Sequence, residues 1–314
     1  MRILITGGAG FIGSHLAKRL LSEKYTVSII DNLSTGTLNN LGESLSALEF
    51  IEGDICDYSI VQEVSKKVDV IFHLAAAVGV RNIINDPIGS LKTNFNGSEN
   101  VINASTIHKK RLFIASTSEV YGKNPKQPLS ETDDRIVGSP QKLRWTYADA
   151  KALEEALAYS LYLEKGLEVT TLRFFNTVGP KQTGAYGMVI PRFIHSAKEN
   201  NPIEVYGDGS QTRVFCHVSD VVDALILLLH EDRSIGEVFN VGGMGEISIK
   251  NLAQTIKVLT HSQSKIVFRK YEDVFPDTFE DMHRRVPNID KLTKLIPWTP
   301  HRDLQTIIKD IINE

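Results

Sequence analysis

A phenol and an ammonium group, Tyr147 and Lys151, stand at i and i+4 in the segment WTYADAKALEEAL, so a helix there carries both on one face. A cation beside a phenol stabilises the phenolate and lowers its pKa from a reference of about 10 toward the range of a general base. Upstream, an apolar run beginning at Leu112 leads into STSEVYG, where Thr117, Ser118 and Glu119 offer two hydroxyls and a carboxylate at a strand end. These groups suit proton transfer at a bound hydroxyl. Tyr-x-x-x-Lys alone reads as a core aromatic beside a solvated lysine, so the elements that position the pair decide its meaning.

Short apolar runs alternate with helical patterns: Ile3–Ile5, then Ser14–Leu21; Val27–Ile30; Phe50–Ile51; Val68–Phe72; Leu112–Ala115, then a helix over Tyr147–Glu164; Val169–Phe174. Strands without polar alternation, spaced by helices, predict an α/β fold with a doubly wound parallel sheet covered on both faces. After the first strand, ITGGAGFIGSHLAKRL places Gly7, Gly10 and Gly13 at a turn into a helix starting near Phe11. Such glycines let backbone N–H groups and a helix N-terminus approach a pyrophosphate. The second strand ends at Asp31, roughly 20 residues further on, where a carboxylate can bind a ribose diol and repel a 2′-phosphate. NAD is therefore favoured over NADP. Asp54, after the third strand, suits the adenine amine, and its other reading is a surface turn.

Past Asn176 the rhythm changes, with Gly and Pro punctuating shorter elements. The expected division is a dinucleotide-binding domain over 1–175, with 214–240 packing back on it, and a smaller α/β substrate domain over 176–314. Ser219 is the expected cap of an apolar helix Val221–Leu229, and Val238–Val241 the expected returning strand. The chain has 314 residues, 42% of them hydrophobic, and a formal charge of −3, which favours neither nucleic acid nor an anionic membrane as partner. No stretch reaches the roughly 20 apolar residues of a membrane span, and no secretory signal precedes the first strand, so a cytoplasmic protein is expected. Cys56 and Cys216 read as reduced core thiols, and with His73 and His217 they lack metal-ligand spacing, so no metal is expected.

The motifs TGGAGFIGSHL, DNLSTG, GDICD, HLAA, STSEVYG, YADAK, LRFFNTVGP, VYGDGSQTRVFCHVSDV and FNVGG resemble, in order and spacing, the extended branch of the short-chain dehydrogenase/reductase superfamily. The likeness spans essentially the whole chain. It points to the epimerases, dehydratases and decarboxylases of nucleotide sugars, which keep NAD bound in a Rossmann domain. The resemblance implies that Gly7, Gly10, Phe11, Ile12 and Gly13 hold pyrophosphate, and Asp31, Asn32, Ser34, Thr35 and Gly36 the adenosine ribose. Asp54 and Ile55 would hold adenine, and Leu74, Ala75 and Ala76 the middle of NAD. Thr117 would bond the sugar 4-hydroxyl, Tyr147 remove its proton, and Lys151 hold the nicotinamide ribose. Asn176, Val189, Tyr206, Arg213 and Arg285 match positions that bind the nucleotide diphosphate. A UDP-sugar is the implied substrate and a homodimer the implied assembly.

All three enzyme groups pass through a 4-keto sugar. A 4,6-dehydratase pattern has Asp where this chain has Ser118, which disfavours dehydration. Thr-Ser-Glu also occurs in UDP-glucuronate decarboxylases, the main rival. YADAK in place of their usual YDEGK, and NTVGPKQTGAYGMVIPRF, incline the reading toward a 4-epimerase of UDP-glucuronate or UDP-glucose. Arg192 is expected to hold a C5 carboxylate, and Glu119 to be either a base at C5 or an orienting group. A non-catalytic NAD sensor is the remaining class, and the intact Tyr-Lys pair speaks against it.

Overall fold

The computed structural model describes residues 1–185, 187–274, 280 and 282–314, with 80–82 described as backbone only. Tyr186, within the segment assigned to substrate, lies outside them. The strands β1 (Arg2–Thr6), β2 (Thr26–Asp31), β3 (Glu49–Glu52), β4 (Val70–His73), β5 (Arg111–Thr117) and β6 (Val169–Phe174) are joined by Val238–Val241 in a 7-stranded sheet. Its order is Val238–Val241, β6, β5, β4, β1, β2, β3, with every neighbouring pair parallel. The fold is thus the doubly wound Rossmann type. Chain order reverses between β1 and β4, and the crevice at their carboxyl ends is where such sheets bind ligands.

Both faces of the sheet are covered, which is why the strands read as unbroken apolar runs. On one face, α1 (Phe11–Ser22) and the helix Val218–Leu229 pack on Ile3, Ile5, Phe72 and Phe113. On the other, Val61, Val101, Ile102 and Ala158, from three helices, close over Leu4, Ile71, Leu112 and Ile114. The returning strand pairs with β6 over Val238–Val241, as the sequence predicts, although it lies far along the chain.

The later part of the chain has its own core, in which Ile190, Phe193, Val205, Leu252, Ile256 and Ile308 are buried. One of its sheets bears on the site: Thr212–Val214 lies between Glu246–Ser248 and Arg284–Arg285, with Arg285 in register beside Arg213. Pairing of these short strands brings together two arginines that are distant in sequence.

Two local expectations change. The apolar helix begins at Val218, and its cap is the ring of His217, whose Nδ1 accepts the N–H of Ser219 at 3.1 Å. Ser219 therefore lies inside the first turn. Burial, with Arg302 nearby, holds the His217 pKa below its usual value, which suits an accepting ring nitrogen. Of the cysteines, Cys216 is buried but Cys56 is exposed, because it sits in the turn after β3 and outside the sheet.

Phe113 is fully buried, and its ring stacks on Phe72 with centroids 4.7 Å apart. Phe113→Ala should lower unfolding free energy by about 3–5 kcal/mol, read from the urea midpoint at unchanged slope.

Candidate active site

The glycine corner after β1 is built for close approach. Gly7 has φ +70°, and a Cβ there would lie 2.7 Å from the backbone of Ala75. At Gly13 a Cβ would lie 2.4 Å from the Gly7 carbonyl. The N-cap Gly10 offers no side chain to the first turn of α1, and that turn contains no acidic residue. Gly7, Gly10, Phe11, Ile12 and Gly13 consequently turn bare backbone toward a cleft of about 780 Å³.

Along the cleft, Asp31 is fixed by the N–H of Ala9 at 2.9 Å and that of Leu33 at 2.8 Å, one to each oxygen. Burial raises its pKa and these two bonds oppose the rise. Asn32, Ser34, Thr35, Ile55, Leu74, Ala75 and Ala76 also line the cleft. Two expected residues do not reach the wall. Gly36 packs on Ala9, where a Cβ would lie 2.8 Å from its carbonyl carbon. Asp54 accepts from Asn32 at 2.9 Å and from the Cys56 N–H at 2.8 Å, so it braces Asn32 from behind.

At the far end of the cleft, β5 delivers Thr117, Ser118 and Glu119 opposite Tyr147. Thr117 caps the short turn that follows, its Oγ1 accepting the Glu119 N–H at 3.2 Å. Glu119 is clamped. Arg144 donates to both of its oxygens, one of the two bonds being 3.1 Å, and Arg285 approaches Oε1 at 3.5 Å. Burial alone would raise the Glu119 pKa, but Arg144 and Arg285 outweigh it and hold the group below the usual carboxylate range. Arg285 also donates to Asn176, and Asn176 in turn to the Val214 carbonyl at 2.7 Å.

A second chamber of about 230 Å³ opens from the same place, walled by Val189, Arg192, Tyr206, Arg213, Phe215 and Tyr271. Arg192 stacks over Tyr206 at 4.2 Å and donates to its hydroxyl at 2.9 Å. The guanidinium groups bonded to Glu119 at the β5 end are those of Arg144 and Arg285, whereas Arg192 engages the aromatic wall. Arg144 escaped the sequence reading; its signal is a cation one helical turn before Tyr147.

The Tyr147–Lys151 pair differs from expectation. Lys151 is 1% exposed, and its Nζ donates to Glu154 at 2.8 Å, one turn further along the same helix. Burial drives the Tyr147 pKa upward, Glu119 and Glu154 add to the rise, and Arg144 opposes it. Burial first, and then the two carboxylates, outweigh Arg144 and favour the neutral phenol in the protein alone.

Residues 3–242 match the NAD dependent epimerase/dehydratase family. The chain belongs to that family. It is 43% identical to a UDP-N-acetyl-alpha-D-glucosaminuronate decarboxylase of Bacillus cytotoxicus, over 99% of this chain and 96% of the other. It is 36% identical to UDP-glucuronic acid decarboxylase 1 of Danio rerio, over 95% of this chain and 69% of that one. Among solved structures, a UDP-glucuronic acid 4-epimerase from Bacillus cereus, in complex with UDP-glucuronic acid and NAD, superposes with a TM-score of 0.89 at 28% identity, covering 100% of this chain and 98% of that one.

NAD is the cofactor of the epimerase/dehydratase family, and the bare helix end, the Asp31 carboxylate and the glycine contact with Ala75 fit its pyrophosphate and ribose. Among the described residues no helix is long and apolar enough to cross a membrane. Asp220, Asp223 and His301 approach one another closely enough to hold a cation, but Arg302 and Arg19 already pair with the two carboxylates.

Gly7→Ala should purify without bound NAD, since its Cβ would meet the Ala75 backbone at 2.7 Å in a conformation that side chains avoid. Nucleotide released on denaturation, measured by chromatography, checks this against the unaltered protein.

Proposed function

We propose that the protein is a decarboxylase of a UDP-linked hexuronate, with UDP-N-acetylglucosaminuronate the first candidate. The observation that carries this reading is the clamp on Glu119. With both carboxylate oxygens engaged by guanidinium groups, Glu119 is an orienting anion, poorly suited to removing a C5 proton. Dehydration needs such a base, whereas loss of CO₂ from C5 does not. Two guanidinium groups, Arg144 and Arg285, stand against the one carboxylate of Glu119 on this wall, and the surplus positive charge suits a substrate carboxylate. The near full-length likeness to the Bacillus cytotoxicus decarboxylase supports this reading over the 4-epimerase expected from sequence.

In the proposed reaction Thr117 bonds the 4-hydroxyl and Tyr147 takes its proton. Bound NAD supplies the hydride acceptor, and later the donor, at C4. A carboxylate on C5 then stands β to the new carbonyl, so the C5–C6 bond can break with its electron pair drawn toward the ketone oxygen. CO₂ leaves and one proton is taken up at C5, giving a UDP-pentose once C4 is reduced. Thr117 and Tyr147 hold the 4-oxygen throughout. Arg213, Arg192 and Tyr206 wall the nucleotide end, where fixed guanidinium groups suit a diphosphate.

The Bacillus cereus structure supports a second reading, C4 epimerisation with the carboxylate retained. Leu153, Tyr159 and Leu163, exposed on the Thr146–Lys165 helix, support a homodimer.

Purified protein given UDP-N-acetylglucosaminuronate, UDP-glucuronate or UDP-glucose without added cofactor should release CO₂ from an acidic substrate, and UDP-glucose should remain unchanged. Arg144→Met should cut turnover at least tenfold, because it releases Glu119 and removes one guanidinium from the sugar wall. Conversion of UDP-glucose to UDP-galactose would contradict the reading.

A further inference from the structure

Glu154 is a carboxylate in the core for which the reaction has no use. It is 0% exposed, and one oxygen accepts from Lys151 at 2.8 Å. The other oxygen has no hydrogen-bond partner and lies 3.7 Å from Nε2 of His73. His73 is itself fully buried, bonded to Ser98 at 2.8 Å and to Thr6 at 2.7 Å. Thr6 in turn accepts the N–H of Ala75, on the wall of the cofactor cleft, at 3.2 Å. A polar chain therefore runs behind the site from the cofactor loop to the ammonium of Lys151.

Burying a carboxylate is costly, and an oxygen left without a donor increases that cost. A lysine that only needed to reach the cleft would not require such a partner. Engaging Lys151 has two effects on the phenol one turn away: it fixes the ammonium on the buried side of the helix, and it sets a negative charge against the positive one. The charged and titratable groups around this pair are Lys151, His73 and Glu155 near Glu154, and Glu119 and Arg144 near Tyr147. Burial keeps His73 neutral, with Lys151 adding to the effect. The charges at the back of the pocket are thus those of the Lys151–Glu154 pair.

We propose that Glu154 is a positioning residue that holds Lys151 by its ammonium and thereby sets how readily Tyr147 releases and recovers its proton. The inference rests on Tyr147 as the base, and it is independent of whether the ketone loses CO₂ or is reduced on its other face. Burial holds the Glu154 carboxyl above its ordinary range, with Lys151 pulling it back.

The test uses the NAD-loaded protein and Glu154→Gln, which keeps the shape and removes the charge. Tyr147 ionisation is followed by phenolate absorbance, assigned by its loss in Tyr147→Phe, alongside the pH profile of kcat. Without the neighbouring negative charge the phenolate is easier to form. Both the absorbance step and the acid limb of kcat should move to lower pH, by about half a unit or more. A fixed step and limb in the folded variant, even with a uniform loss of rate or stability, would overturn the proposal. Should Glu154→Gln fail to fold, Glu154→Leu, an apolar replacement of similar size, must give the same shift or the proposal falls. If no UDP-sugar is converted, the absorbance step still decides the role of Glu154, and only the assigned reaction fails.

Discussion

One carboxylate held between two guanidinium groups organises the far end of the cleft. Glu119 comes from the short turn after a central strand, Arg144 from the turn that starts the helix of Tyr147, and Arg285 from a two-residue strand of the later part of the chain. Their pairing ties the sheet, the helix Thr146–Lys165 and the later part of the chain at one point. The groups are largely buried, at 16%, 4% and 11% side-chain exposure. Removing one partner from such a pair costs about 3–5 kcal/mol, much of it the penalty of the charge left behind. The clamp is therefore both a structural joint and the element that fixes which chemistry Glu119 can perform.

The parts of the site that sequence made legible are those whose geometry is local. Gly7, Gly10 and Gly13 announce a tight turn, at which Gly7 and Gly13 leave no room for a Cβ, and Asp31 announces a strand end. Thr117 to Glu119 follow directly from β5. Tyr147 and Lys151 were placed on one helix with the ammonium toward the cofactor, yet Lys151 lies in the core, bonded to Glu154. Arg144 and Glu154 were missed for the same reason: their partners are fixed by packing, and no spacing rule separates a buried pair from an exposed one.

The inclination toward epimerisation shows a related limit. It weighed the segment from Asn176 to Phe193, part of which lines the cleft, together with the residues between Tyr147 and Lys151, which do not: Ala148 and Ala150 are buried in helix packing, and Asp149 pairs with Arg135 at 2.8 Å on the surface. Positions 148–150 record how the helix packs and say little about the fate of a ketone. The His217 cap is a local contact, made by a ring nitrogen where a hydroxyl was expected, and Cys56 is exposed by the turn in which it sits.

With its oxygens occupied Glu119 leaves C5 its own hydrogen, and the proposed reaction removes only the carboxylate from that carbon. Conversion of UDP-N-acetylglucosaminuronate in D₂O, followed by NMR of the product, tests this directly. The predicted product is a UDP-pentose whose C5 bears the original hydrogen and a single solvent deuteron. A product that keeps its carboxylate with C4 inverted, or a C5 carrying two deuterons, would contradict it.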